Sequence, residues 1–222
     1  MSYIVSRPVL LRPSYHFVCK RPLEYRSIIG FPSRSEELEL VDELGINMIH
    51  IGSSFVQSLI KEDKTPSIRL KDIDQLERIS SECEKKGLAL AFTYLTCTNW
   101  TRYPEWFVEL FPDMFSLDQN GCYIEVPFLG GFWTSVDHPI LNELKACFIR
   151  EVISHFKNLP NLKFWTMDGE TFYPTYFYRN RWTDYNPYSI KHFDEWLKAR
   201  YKQINSLNEA CALGMLSSLS NI

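Results

Sequence analysis

The chain has 222 residues, a length that fits one domain with a sizeable core, and its 45% hydrophobic and 23% charged residues are ordinary for a globular protein. A net charge of −3 with both signs interspersed and no basic block argues against nucleic acid as a partner, and no apolar run approaches the ~18 residues of a membrane span. Aromatic residues reach 15%, an excess that suits stacking on flat apolar faces, sugar rings among them, as well as filling a large core.

The N-terminal MSYIVSRPVLLRPSYHF is broken by Arg7 and Pro8 and carries no small-residue cleavage site, so a cytoplasmic location is expected. Arg26–Phe31 reads as a strand ending at Pro32. Ser33 or Ser35 can cap a helix over Glu36–Leu44, with Leu38, Val41 and Leu44 on one face and Gly45 as its stop. Ile46–Ser53 is the next strand, followed by a polar loop with Lys61, Asp63 and Pro66. The helix Asp72–Lys86 spaces Ile73, Leu76 and Ile79 on one side and stops at Gly87. Leu88–Leu95 is nearly continuous in apolar residues, as in a parallel strand covered on both faces.

A long irregular stretch, 96–139, follows, with Trp100, Trp106, Trp133 and the turn Asp118–Gly121; a loop of this length inside a domain usually serves a function. Ile140–Lys157 is an amphipathic helix, Asn161–Met167 a fourth strand that opens into Asp168-Gly169-Glu170, and Ser189–Tyr201 a further helix. His138, just before Pro139, reads as a capping residue, and Trp106 as packing. The chain divides into an N-terminal extension (1–25), one domain (26–210) and a tail (211–222) expected to be poorly ordered.

Strands alternating with helices predict an α/β fold with a parallel sheet, either doubly wound or part of a (β/α)8 barrel. No Gly-rich phosphate loop follows any strand, and the long loops lie at the strand C-terminal ends where barrels keep their chemistry. The favoured reading is a partial TIM barrel of about the first four strand–helix units.

Glu170 is the strongest candidate for chemistry. It follows a buried strand beside Asp168, with Trp165, Phe172 and Tyr173 near in sequence, and an apolar aromatic setting raises a carboxyl pKa toward what a general acid needs. The same residue could instead cap a turn or pair with Arg179 or Arg181. Trp100, Trp133 and Trp182 are candidate stacking platforms, with core or loop packing as the alternative. The six cysteines form no CxxC or CxC pair, so neither a metal site nor a cofactor is expected. No GxSxG elbow supports acyl transfer.

Five segments in order resemble the N-terminal barrel domain of the family 42 glycoside hydrolases, the β-galactosidases of clan A: LELVDELGINMIHIG (38–52), AFTYLTCTNWTRYPEW (91–106), FPDMFSLDQNG (111–121), KFWTMDGE (163–170) and FDEWLKARYKQINSLN (193–208). The resemblance implies a hydrolase of β-linked galactosides or related sugars, with Glu170 as proton donor. It also implies that Asp168, His50, Trp100, Trp133, Tyr173 and Trp182 line the sugar site. A retaining enzyme of this type also needs a nucleophilic carboxylate about 5 Å away, and the family carries it after the seventh strand.

Departures accompany the match. Gly169 stands where the family has the Asn that bonds the sugar 2-hydroxyl, His50 where it usually has Arg, and Ser53-Ser54-Phe55 where it has Trp and Glu-Pro. No residue corresponds to the nucleophile. The chain is therefore expected to be weak or inactive alone, and to self-associate through open barrel edges. The alternatives are a non-catalytic carbohydrate-binding or pseudoenzyme domain, or a fragment without activity.

Overall fold

The computed structural model describes residues 27–28, 38, 40–41, 43–71, 73–94, 102–126, 131–166 and 180–211, with the backbone alone at 27, 28, 94 and 211. The N-terminal extension, the rest of the first predicted strand and the tail beyond Cys211 lie outside these residues, as do Trp100, Asp168, Glu170 and Tyr173.

Strand β1 (Ser27–Ile28) is followed by helical residues at 38, 40, 41 and 43, strand β2 (Met48–Ser53) and a short helix α1 (Phe55–Ser58). A hairpin of β3 (Leu59–Glu62) and β4 (Thr65–Ile68) leads to α2 (Ile73–Lys85) and β5 (Ala89–Tyr94). Then come α3 (Glu105–Leu110), a 3-10 turn (Pro112–Met114), α4 (Pro139–Phe156), β6 (Leu162–Thr166), α5 (Pro187–Tyr201) and α6 (Ile204–Cys211). Strands β1, β2, β5 and β6 form one sheet in that order, every neighbouring pair parallel.

Two glycines set the entry into the central strands. Gly45 and Gly87 adopt φ of +66° and +69°, a left-handed conformation that a Cβ disfavours. In each case the amide just past the glycine reaches back: Ile46 N–H donates to Val41 O (3.1 Å), and Leu88 N–H to Cys83 O (2.8 Å). This is the hydrogen-bond pattern of a Schellman ending, and it launches β2 and β5 directly. At the opposite ends, Pro139 and Pro187 open α4 and α5 behind the side-chain caps His138 and Asn186. The two helices thus begin one and two residues earlier than predicted.

The sheet has two unlike faces. Ile49 and Ile51 of β2, and Leu90 and Phe92 of β5, join the main core with Leu38 and Val41, Leu76, Ile79 and Cys83 of α2, and the α4 stripe Leu141, Leu144, Phe148, Val152 and Phe156. The residues between them in the strands, Met48, Ala89 and Ala91, form a small separate cluster on the other face. Helical segments covering one face of a sheet whose strands follow chain order describe a singly wound arrangement. A doubly wound sheet would reverse its strand order and cover both faces. On β6, Trp165 packs toward the main core and against Phe92, with ring centroids 5.4 Å apart.

The polar loop predicted after β2 is instead the β3–β4 hairpin. Its register pairs Leu59 with Ile68 and Lys61 with Pro66. Asp63 and Lys64 both take positive φ (45° and 69°), as a two-residue type I′ turn requires. Pro66 disguised it in the sequence, yet a two-stranded ribbon has an outer edge on each strand where a missing N–H is tolerated.

Candidate functional site at the strand C-termini

The parallel register places residues in rows across the sheet. His50 of β2 lies opposite Ala91 of β5, and Ala91 opposite Phe164 of β6. One step nearer the strand C-termini, Gly52 lies opposite Thr93, and Thr93 opposite Thr166. These rows belong to the face away from the main core. The upper row is built of small and hydroxyl-bearing residues, which supplies polar atoms. Residues 167–170 continue from Thr166, so Glu170 follows directly on this row in sequence.

His50 is half-buried, and its Nδ1 sits 3.2 Å from the Thr93 hydroxyl across the β2–β5 boundary. Burial pushes its pKa below the ordinary histidine value. A neutral imidazole at neutral pH offers one donor and one acceptor, a pairing suited to a sugar hydroxyl. Thr93 is a neighbour that spacing along the chain did not reveal, because the two residues meet only through strand pairing.

The long stretch after β5 is more ordered than predicted. Phe115 bridges Thr134, Leu117 bridges Tyr123, and Glu125 bridges Phe132, all antiparallel. Trp133 sits inside this ribbon at 1% exposure, its indole N–H donating to Glu125 O (3.1 Å). Of its two predicted roles, packing is the one this geometry fits. Trp182 is the opposite case, 62% exposed, with its backbone N–H held by the Gln119 side chain (2.9 Å). Trp106 packs against the core edge-on to Phe107, and His138 caps α4 by accepting from Leu141 N–H (3.3 Å). The three described candidates thus occupy different settings: His50 on the inner sheet face, Trp133 buried in the ribbon, Trp182 on the surface.

A second polar group ties α5 to this region. Tyr188 O–H donates to Asp113 Oδ2 (2.8 Å), Asp113 Oδ1 lies 3.5 Å from His138 Nε2, and His192 Nδ1 lies 2.7 Å from Asp137. Burial pushes the His138 pKa down, opposed by the Asp113 charge and hydrogen bond. Its use as a cap and its enclosure by Phe111 and Tyr188 mark His138 as a joint between elements. Among the described residues, no group of His, Cys, Asp and Glu is arranged to hold a metal ion, and no helix is long and apolar enough to cross a membrane.

Comparison with known proteins agrees with this architecture. A β-galactosidase of Bifidobacterium bifidum is 26% identical over 175 residues, 79% of this chain and 23% of that relative. One from Geobacillus kaustophilus is 28% identical over 178 residues, again with 23% of its length matched. The chain therefore spans about a quarter of the length of these curated relatives. Among solved structures, the β-galactosidase of the psychrophilic Marinomonas ef1 superposes with a TM-score of 0.65 at 18% identity, covering 88% of this chain and 29% of that one. That of Halorubrum lacusprofundi gives 0.65 at 18%, covering 88% and 28%. At this identity the structures speak for the fold: an α/β arrangement similar to part of the family's barrel. The family 42 glycoside hydrolase profile, described as beta-galactosidase, matches residues 32–217, and over that span the chain belongs to this family.

Proposed function

We propose that the chain forms the first four strand–helix units of a (β/α)8 glycosidase barrel and carries the acid/base side of a retaining β-galactosidase site. Glu170 is the proton donor in this reading. It protonates the glycosidic oxygen as the bond to the anomeric carbon breaks, and a nucleophilic carboxylate about 5 Å away takes that carbon. The resulting carboxylate of Glu170 then accepts a proton from the water that releases the sugar. The observation that carries the proposal is the match of the family profile across 32–217, read together with a parallel strand that ends at Thr166, just ahead of Glu170.

His50 and Thr93 form the polar floor of the sugar site, Asp168, Tyr173 and Trp100 are further substrate-binding residues, and Trp182 is an outer stacking surface. Trp133 contributes by holding the ribbon. The chain spans about a quarter of the relatives' length, and in this reading the nucleophilic carboxylate is supplied from outside that quarter. The partner is a β-linked galactoside or related sugar, met in the cytoplasm.

The test uses the full chain with nitrophenyl β-galactoside and with galactose in calorimetry. Saturable galactose binding, with any slow hydrolysis lost in Glu170→Gln, is expected. Turnover unaffected by that substitution would refute the role of Glu170. Gly169, in the place of the family's Asn, favours a second reading, a binding domain without turnover. Binding without hydrolysis that persists in Gly169→Asn supports it.

A further inference from the structure

Trp182 is 62% exposed, and its indole N–H has no partner among the described residues. The backbone beneath it is nevertheless held at almost every step. Residues 181–186 take no regular secondary structure, so their polar groups need partners outside their own segment. They find them in the turn that closes the ribbon. Gln119 spans the contact with one amide group, donating from Nε2 to Asn180 O (2.9 Å) and accepting at Oε1 from Trp182 N–H (2.9 Å). Tyr185 N–H donates to Leu117 O (2.9 Å), and Leu117 N–H to Asp184 Oδ1 (3.3 Å).

A buried ion pair adjoins the tryptophan. Asp118 is 3% exposed, and its Oδ1 accepts from the backbone N–H groups of Asn120 and Cys122, each at 2.9 Å. Its Oδ2 accepts from Arg181 Nε at 2.9 Å, and Arg181 Nη2 donates onward to Tyr123 O at 2.8 Å. One forked guanidinium thus bridges carboxylate and carbonyl at once, which a lysine ammonium does not reproduce. The residue next to Arg181 is Trp182, so the ring stands on a backbone fixed from both sides. Tyr123 and Tyr185, 47% and 45% exposed, are tied into the same contact through their main chains.

We propose that Trp182 is a preset stacking platform for an outer ring of a β-linked galacto-oligosaccharide, and that Asp118, Gln119 and Arg181 are the positioning residues that fix it. The choice of a galactoside rests on the function proposed above. A ring on an anchored backbone loses little freedom when a ligand docks, so the anchoring favours binding. An indole offers an apolar face to sugar C–H groups and one N–H donor to a hydroxyl. Its sequence-linked and bonded neighbours Gln119, Asn120 and Arg181 are polar, where the core of a protein interface is depleted of charge and apolar. The two exposed tyrosines extend the aromatic surface, which suits a ligand longer than one ring.

The experiment compares galactose with a β-linked galactotetraose in calorimetry on the full chain. The tetrasaccharide is expected to bind more tightly, and the ratio of the two affinities to fall at least about threefold in Trp182→Ala. Arg181→Lys keeps the charge and removes the fork; it lowers the ratio in the same direction with a melting temperature close to wild type. Gln119→Ala, at an exposed position, removes two bonds from the same contact and serves if Arg181→Lys does not fold. In NMR, the Trp182 indole N–H signal, assigned by its loss in Trp182→Ala, shifts as tetrasaccharide is added. A tetrasaccharide no tighter than galactose, or a ratio unchanged in Trp182→Ala, overturns the platform. An indole signal that moves with protein concentration and not with oligosaccharide also overturns it, marking a surface covered by protein. A ratio that falls in Trp182→Ala and in neither anchoring variant overturns the positioning role. Failure of the galactosidase reading looks different: hydrolysis is then untouched by Glu170→Gln while the Trp182-dependent ratio stands.

Discussion

Truncation of Phe92 probes the joint between β5, α4 and β6, the strand that ends at Thr166. Phe92 is fully buried on β5, and its ring lies 5.0 Å from that of Phe156 on α4 and 5.4 Å from that of Trp165 on β6. Phe92→Ala removes the transfer energy of a benzyl group and leaves a cavity among rigid neighbours, a loss of about 3–5 kcal/mol. The two ring contacts account for roughly 0.5–1.5 kcal/mol each within that sum. Phe92→Leu keeps most of the apolar volume and forfeits only the ring geometry, so about 1–2 kcal/mol is expected. Against a typical domain stability of about 5–15 kcal/mol, the alanine variant stays folded with a much lower urea midpoint. Urea unfolding with an unchanged slope measures both variants. A loss below about 1 kcal/mol for Phe92→Ala would refute the packing described here.

Further predictions address other joints. Asn161 donates to Ser80 O (3.2 Å) and Leu88 O (3.3 Å), so Asn161→Ala leaves buried carbonyls short of a donor and costs about 1–3 kcal/mol in the same urea assay. For His138, burial lowers the folded-state pKa, so the unfolded chain binds the extra proton; its contribution to stability is whole above about pH 6.5 and is lost as pH falls through the lower folded value. His138→Asn keeps a capping side chain, and its stability should fall less than wild type as pH drops below about 6.5; identical pH profiles would exclude that role. Phe193 and Trp196 stand 52% and 47% exposed on α5, with rings stacked 5.9 Å apart. Size-exclusion chromatography should therefore show concentration-dependent association, and a stable monomer at all dilutions would count against it.

Much of the architecture was legible because its cues are local. The stops at Gly45 and Gly87 and the helical spacing of Leu76 and Ile79 place a helix before each central strand, and the structure has them there. The β3–β4 hairpin was not legible: Pro66 and the charged turn Asp63-Lys64 have the composition of a loop, and only the pairing of Leu59 with Ile68 makes them a ribbon. Trp133 was ambiguous for the same reason, since a tryptophan's burial is decided by what folds over it. The site divides likewise. His50 stood out on its strand, but its partner Thr93 lies 43 positions away, and the Asp118–Arg181 pair spans 63. Such contacts are properties of strand register and loop return, which no local spacing encodes.

A crystal structure of the full chain with galactose bound decides where the Glu170 carboxyl lies. The sugar is expected above Gly52, Thr93 and Thr166, with a Glu170 oxygen about 2.6–3.2 Å from the anomeric hydroxyl. Galactose bound elsewhere, with the Glu170 side chain on the outer surface of the domain, would contradict it.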